Sequence, residues 1–182
     1  LVGSECTLGI ITGATIRLVP APPPAATLVA TFTSVSDAAR SVVDIGASLR
    51  ASMMELMDNA AINAVEDLRP MGLDRHAGAL LIAQSDVPGE ARAAEVEAMA
   101  RVCESHGATE VFTTDDPEEG ELFCAARRAF FPAMERRGSL LLEDVGVPVP
   151  RLPDLLEGIA GIAARLEVDI PVVAHAGDGN TH

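Results

Sequence analysis

His175 and His182, two of only four histidines in the chain, flank the turn Gly177-Asp-Gly-Asn180. An apolar, β-branched run from Ile170 to Ala174 leads into the first of them. That run reads as a buried strand that delivers His175 to a glycine turn, which returns His182 beside it. Imidazole nitrogens suit zinc, iron or manganese, and a catalytic centre of this kind uses three protein ligands and an open position. The pair supplies two. Glycines at 177 and 179 permit positive φ and close approach by a ligand or another backbone. The same tetrapeptide is also a good hairpin turn with His182 merely solvated, and H-x6-H is far less specific than H-E-x-x-H.

Three further groups have chemical types worth weighing. Gly3-Ser-Glu-Cys-Thr-Leu-Gly-Ile-Ile11 combines small residues, hydroxyls and exposed main-chain amides, which can wrap a phosphate or lie against a flat heterocycle; an ordinary glycine turn looks the same. Arg127 and Arg128 sit in Ala125-Ala-Arg-Arg-Ala-Phe-Phe-Pro132. A helical arginine can take a carboxylate through two parallel hydrogen bonds, or simply pair with Glu121 or Glu135 on a solvated face. Glu143 and Asp144 end an apolar run, where carboxylates can orient a metal-bound histidine or occupy a turn. Glu55 and Asp58 invite the same two readings, with Asp58 also placed to cap a helix.

The elements that must position these groups follow from periodicity and punctuation. Ala14–Val19 alternates like a strand, and the prolines at 20 and 22–24 then impose a semi-rigid connector. Beyond it the patterns alternate: strand 27–33, helix 34–50 capped by Ser34 or Ser36, strand 53–57, and a helix through Leu68 that Pro70 stops. Strand 77–84, helix 89–106 closed by Gly107, strand 110–113 and a helix from Asp115 to Arg137 kinked at Pro132 come next. Strand 140–147, helix 150–166 and strand 170–175 complete the order. Short, half-polar strands argue against a doubly wound parallel sheet. The expectation is α+β: a ferredoxin-like duplicated β-α-β antiparallel sheet with helices on one face.

Composition narrows the function classes. Hydrophobic residues make up 48%, enough for a sizeable core. Aromatics are 3%, too few for a base-stacking platform, and the net charge of −14 repels phosphate backbones and anionic membranes, so no nucleic acid is expected. Cys6, Cys103 and Cys124 form no disulfide framework, which fits a reducing compartment and a cytoplasmic setting. No apolar run reaches the roughly 20 residues of a membrane span.

Taken in order, the Gly-Ser-Glu loop, the proline connector, Glu55-Leu-Met-Asp58, Ala126-Arg-Arg-Ala-Phe-Phe-Pro132, Glu143-Asp-Val-Gly-Val-Pro148 and the closing His-Ala-Gly-Asp-Gly-Asn-Thr-His resemble the FAD-linked oxidases of the glycolate oxidase GlcD / D-lactate dehydrogenase type. The resemblance implies that residues 1–19 are the tail of an FAD-binding domain, 20–26 a linker, and 27–182 a truncated substrate, or cap, domain. It implies flavin contacts, largely main-chain, by Gly3, Ser4, Glu5, Thr7, Leu8, Gly9, Ile10 and Ile11; Cys6 stands where the family usually has glycine. It implies a divalent metal on His175 and His182, and a substrate carboxylate clamped by Arg127, with Arg128 the alternative. The family's glutamate ligand and the histidine expected as general base lie past His182. The implied reaction is oxidation of a D-2-hydroxy acid, lactate or glycolate in type, to the 2-oxo acid, with the isolated chain inactive. A homodimer, partner subunits, or attachment to the inner membrane through partners would all suit the family. Two rival readings are a non-enzymatic ferredoxin-like module, which predicts that His175 and His182 are splayed apart, and a metal-dependent hydrolase, which would want further Asp or His ligands.

Overall fold

Residues Ala26–Phe32 form β1, and their side chains are buried almost without interruption. Ser34 then accepts a hydrogen bond from the Ser36 amide and starts α1, Val35–Ser48, whose apolar stripe of Ala38, Ala39, Val42 and Ile45 turns inward. β2 is Met53–Asp58, and the Asp58 carboxylate caps α2, Asn59–Leu68, by accepting from the Ala61 amide at 2.8 Å. Next come β3, Ala79–Ser85, then α3, Ala91–Ser105, and β4, Glu110–Thr114. Asp116 caps α4, Pro117–Arg128, with Pro117 at its first turn. The computed structural model describes residues 1–182 throughout.

The single long helix expected to Arg137 is two helices, α4 and α5, Phe130–Arg137, that part at Ala129. Pro132 supplies no amide hydrogen and its ring meets the carbonyl of Arg128, so α4 cannot run on unbroken. β5 is only Val145–Gly146, much shorter than the expected strand 140–147. A short 3-10 turn leads into α6, Leu152–Leu166, and the chain closes with the hairpin β6, Val173–His175, and β7, Asn180–Thr181. The strand expected at 14–19 does not form. Residues 1–25 carry no regular structure and make no hydrogen bond to the rest of the chain.

All seven strands join one antiparallel sheet in the order β4-β1-β3-β2-β6-β7-β5. The first four, ordered 4-1-3-2, are the ferredoxin-like unit expected from the sequence. Its crossover helices α1 and α3 share one face with α6, burying Phe32, Leu56 and Leu81 against Val42, Ile45 and Met99. The placement differs from expectation in one respect. Helices α2, α4 and α5 cover the second face, where Ile82, Met57 and Val173 meet Ile62, Val65 and Phe130. Strands β1 to β3 are therefore buried on both sides although their connections are antiparallel.

Asp58 joins cap, sheet and acidity. Burial raises its pKa from 3.8 to about 6, against the lowering effect of its hydrogen bonds to the Ala61, Val172 and Ala60 backbone. A carboxyl whose pKa is raised on folding favours the folded state below its unfolded value, and that contribution is lost as pH climbs through about 6. Asp58→Asn keeps the acceptor for Ala61 and removes the titration. The variant is expected to exceed the native protein in stability by up to about 3 kcal/mol at pH 7.5, with the gap closing toward pH 4, in urea melts across that range.

Candidate functional site

Pairing register decides which side chains meet. In β6 and β2, His175 lies directly opposite Glu55. Across the hairpin, the Val173 amide donates to the His182 carbonyl at 3.0 Å and the His182 amide donates back at 2.8 Å. Side chains alternate faces along a strand, so His182 shares a face with Val173 and therefore with His175, two residues on. Glu55, His175 and His182 consequently project to one side of the sheet, the side covered by α4 and α5. Asn180 is the direct partner of His175, which makes His182 its diagonal neighbour.

The geometry is close. The two imidazole rings stand perpendicular with centroids 5.3 Å apart. His175 Nδ1 lies 2.6 Å from Glu55 Oε1, and Arg127 Nε donates to Glu55 Oε2 at 2.8 Å. Glu55 and Arg127 are both buried, whereas the His175 side chain is 47% exposed. It borders an open groove of about 450 Å³ edged by Arg50, Met53 and Asp178. His182 is held edge-on by Phe131 of α5, centroids 5.9 Å apart. Its Nδ1 is buried without a hydrogen-bond partner, because Asp144 Oδ1 approaches only to 3.5 Å. One Arg127 nitrogen, Nη2, is likewise buried and unpartnered.

The turn between the histidines depends on Gly179. Its φ is +80°, and a Cβ there would collide with the Val147 carbonyl. Gly177 does not adopt positive φ, so only one of the two glycines is needed for backbone conformation.

The structure thus brings His175, His182, Arg127 and Glu55 together, with Asp144 at the margin, and leaves the remaining candidates apart. Arg128 is exposed and pairs with Glu121 on its own helix. Glu143 forms no hydrogen bond, and Asp58 is a helix cap. Gly3, Ser4, Glu5, Thr7, Leu8, Gly9, Ile10 and Ile11 lie in the amino-terminal arm, largely exposed, with internal hydrogen bonds from Ser4 and Thr7 alone. Cys6 adopts φ +64° in that arm, a left-handed conformation that a glycine would hold without strain. Cys103 and Cys124 are buried free thiols; burial pushes Cys103 up to about 12 and raises Cys124 as well, which makes both inert rather than nucleophilic.

Glu55 was undervalued by sequence reasoning. The available signal was its setting, a carboxylate between Met54 and Leu56 in the middle of an apolar strand, which requires a buried partner.

His175 and His182 together present unengaged ring nitrogens on one face, and Glu55 holds the Nδ1 of His175 in the manner of a carboxylate that orients a metal-binding imidazole. This donor set fits part of a metal centre. No group of three or more His, Cys, Asp or Glu side chains is placed to complete one.

The chain matches several known proteins. The family model described as "FAD linked oxidases, C-terminal domain" matches residues 21–182. Glycolate oxidase subunit GlcD of Bacillus subtilis is 35% identical across 100% of this chain, a stretch that is 39% of that protein. GlcD of Escherichia coli strain K12 is 36% identical across 99% of this chain and 36% of its own length. D-lactate dehydrogenase of Anaerostipes hadrus is 29% identical across 100% of this chain and 40% of its own length. Among solved structures, alkyldihydroxyacetonephosphate synthase superposes with a TM-score of 0.62 at 13% identity, covering 88% of this chain and 35% of that one, a likeness of fold alone. The chain spans about two fifths of the length of the curated relatives it matches.

The buried trio makes a stability prediction. Glu55→Gln leaves Arg127 charged and uncompensated, and is expected to lower stability by roughly 3 kcal/mol in urea melts. Glu55→Leu combined with Arg127→Met removes both charges, and is expected to recover most of that loss.

Proposed function

Because the chain belongs to the FAD-linked oxidase C-terminal domain family, we propose that it is the substrate-domain part of a flavoprotein that oxidises a D-2-hydroxy acid of the lactate or glycolate type to the 2-oxo acid, with FAD and a divalent metal. The observation that carries this reading is the paired imidazoles beside the Glu55–Arg127 ion pair. A non-enzymatic ligand-binding module calls for no such convergence and expects the two rings splayed apart. No helix is long and apolar enough to cross a membrane.

When bound, the flavin would accept two electrons and the metal would act as a Lewis acid toward the substrate hydroxyl. The chain's own residues then divide the remaining work. His175, through Nε2, and His182 would hold the metal from the two arms of the closing hairpin. Glu55 sets the tautomer and rotation of His175 through Nδ1, which raises the basicity of its other nitrogen. Phe131 packs edge-on against His182 and helps fix the orientation of that ring.

Arg127 would clamp the substrate carboxylate. Its Nε is committed to Glu55, so the clamp uses the Nη edge, where Nη2 lies buried and unpartnered. Arg128, facing solvent with Glu121, has no part in this arrangement. The main chain of Gly3–Ile11 is the stretch assigned to the flavin, with the Cys6 side chain emerging where the family usually has none. Proton removal is assigned to no residue of this chain.

In the full-length flavoprotein, His175→Ala is expected to cut bound metal and D-lactate- or glycolate-dependent FAD reduction at least tenfold, read by metal analysis and flavin absorbance. Native metal content with native turnover would reject the role. Residues 1–182 alone are expected to purify colourless, since the amino-terminal arm offers flavin no enclosing wall; a yellow preparation would show that the chain holds flavin unaided.

A further inference from the structure

Gly120 lies inside α4, where nothing about the backbone asks for glycine. Its conformation is helical, without positive φ, and glycine within a helix is less favourable than alanine. Its surroundings supply the reason. A Cβ at this position would overlap Thr27 Oγ1 and stand 3.1 Å from Thr27 Cβ. Thr27 is 1% exposed, and its hydroxyl accepts a hydrogen bond from Gln84 Nε2 at 3.0 Å. A β-branched side chain anchored in this way is stiff and yields little. Glycine therefore lets α4 approach β1 more closely than any other residue would.

That contact is the first of three on a single helix face. Gly120, Cys124 and Arg127 are spaced i, i+4 and i+7, and all three are buried. Gly120 meets Thr27 of β1, Cys124 Sγ lies 3.5 Å from Gln84 Nε2 of β3, and Arg127 Nε donates to Glu55 of β2 at 2.8 Å. Strands β1, β3 and β2 are consecutive in the sheet. Two strand intervals come to about 9.6 Å, and seven helical residues rise about 10.5 Å. Helix α4 thus crosses the sheet with one buried contact per strand.

The far end of that line is where precision is needed. Arg127 is 7% exposed, so a shift of α4 cannot be absorbed by swinging its guanidinium into solvent. Nε is committed to Glu55, and Nη2 is buried and unpartnered beside it. A side chain on residue 120 would lift the helix off Thr27 and carry Arg127 with it. Where a group must meet a ligand, a misplacement of about 1 Å caused far from the chemistry can cost on the order of a hundredfold.

We propose that Gly120 is a positioning residue. Its missing side chain seats α4 on Thr27, and so sets the guanidinium of Arg127 against Glu55 and in line with the substrate carboxylate. The alignment with a carboxylate rests on the clamp proposed for Arg127; the seating against Glu55 does not. Gly120 stands about two helical turns from Arg127 and acts only through it.

The Arg127 Nε proton reports the seating. In the 182-residue chain it is buried and donated to Glu55, and is expected to exchange slowly in nitrogen-15 NMR. Gly120→Ala is expected to speed that exchange at least about tenfold while the β3 amides keep their protection. Adding Thr27→Ala, which removes the obstructing hydroxyl, is expected to restore the native rate within about threefold. Ser34→Ala, which weakens the cap of α1 on the opposite face, is expected to leave the Arg127 proton alone. Unchanged exchange in Gly120→Ala, a rate that Thr27→Ala fails to restore, or a double variant that does not fold would overturn the proposal. In the full-length flavoprotein, Gly120→Ala is expected to raise KM for D-lactate or glycolate at least about tenfold with bound metal at its native level, and Thr27→Ala to reverse the rise. Quickened exchange with a native KM would sink the carboxylate clamp and leave the seating of α4 standing.

Discussion

One carboxylate ties this molecule together. Glu55 sits in the middle of β2 with one oxygen on Arg127 and the other on His175. An ionised carboxyl at that depth is several kcal/mol unfavourable unless it is paired and hydrogen bonded. Two parts of the fold are thereby made interdependent: the β2–β6 register that faces Glu55 with His175, and the docking of α4 that brings Arg127. Each is also held by apolar contacts, but the carboxylate requires both at once.

The second face of the sheet is where this matters. A bare ferredoxin-like unit has its crossover helices on one side, here α1 and α3, and leaves the other side open. In this protein α2, α4 and α5 cover it and build a second apolar cluster around Ile82, Met57 and Val173. The Glu55, His175 and His182 side chains emerge at the edge of that cluster. The cover excludes water from Arg127 and Glu55 yet leaves His175 half in solvent, so a desolvated ion pair and an accessible imidazole stand side by side. The low dielectric behind the ring and the open groove before it both suit the role proposed for His175.

The shared fold with alkyldihydroxyacetonephosphate synthase at 13% identity shows how tolerant this architecture is of sequence change. What a shared fold preserves is the position of its elements. Chemistry is then a matter of which side chains occupy those positions.

The local signals were strong in this chain. Ser34 and Asp58 as caps, the proline stop after Leu68, the kink at Pro132 and the apolar runs of β1 to β3 fixed most elements, because caps, proline and side-chain period act within a few residues. Two stretches misled. Ala14–Val19 alternates but has no neighbour to pair with, and Leu140–Leu142 is apolar but pairs with no strand, so neither becomes one. Strand propensity is realised only by pairing. His175 and His182 were visible from their spacing around a glycine turn, and the family from the order of its motifs. The motif already put Arg127 ahead of Arg128; what tertiary structure added is that Arg127 faces Glu55 from α4 while Arg128 pairs with Glu121 in solvent. Tertiary structure likewise raised Glu55 from a strand residue to the centre of the site and set helices on both faces. Those outcomes depend on contacts between residues 72 and 120 positions apart, which no local pattern encodes.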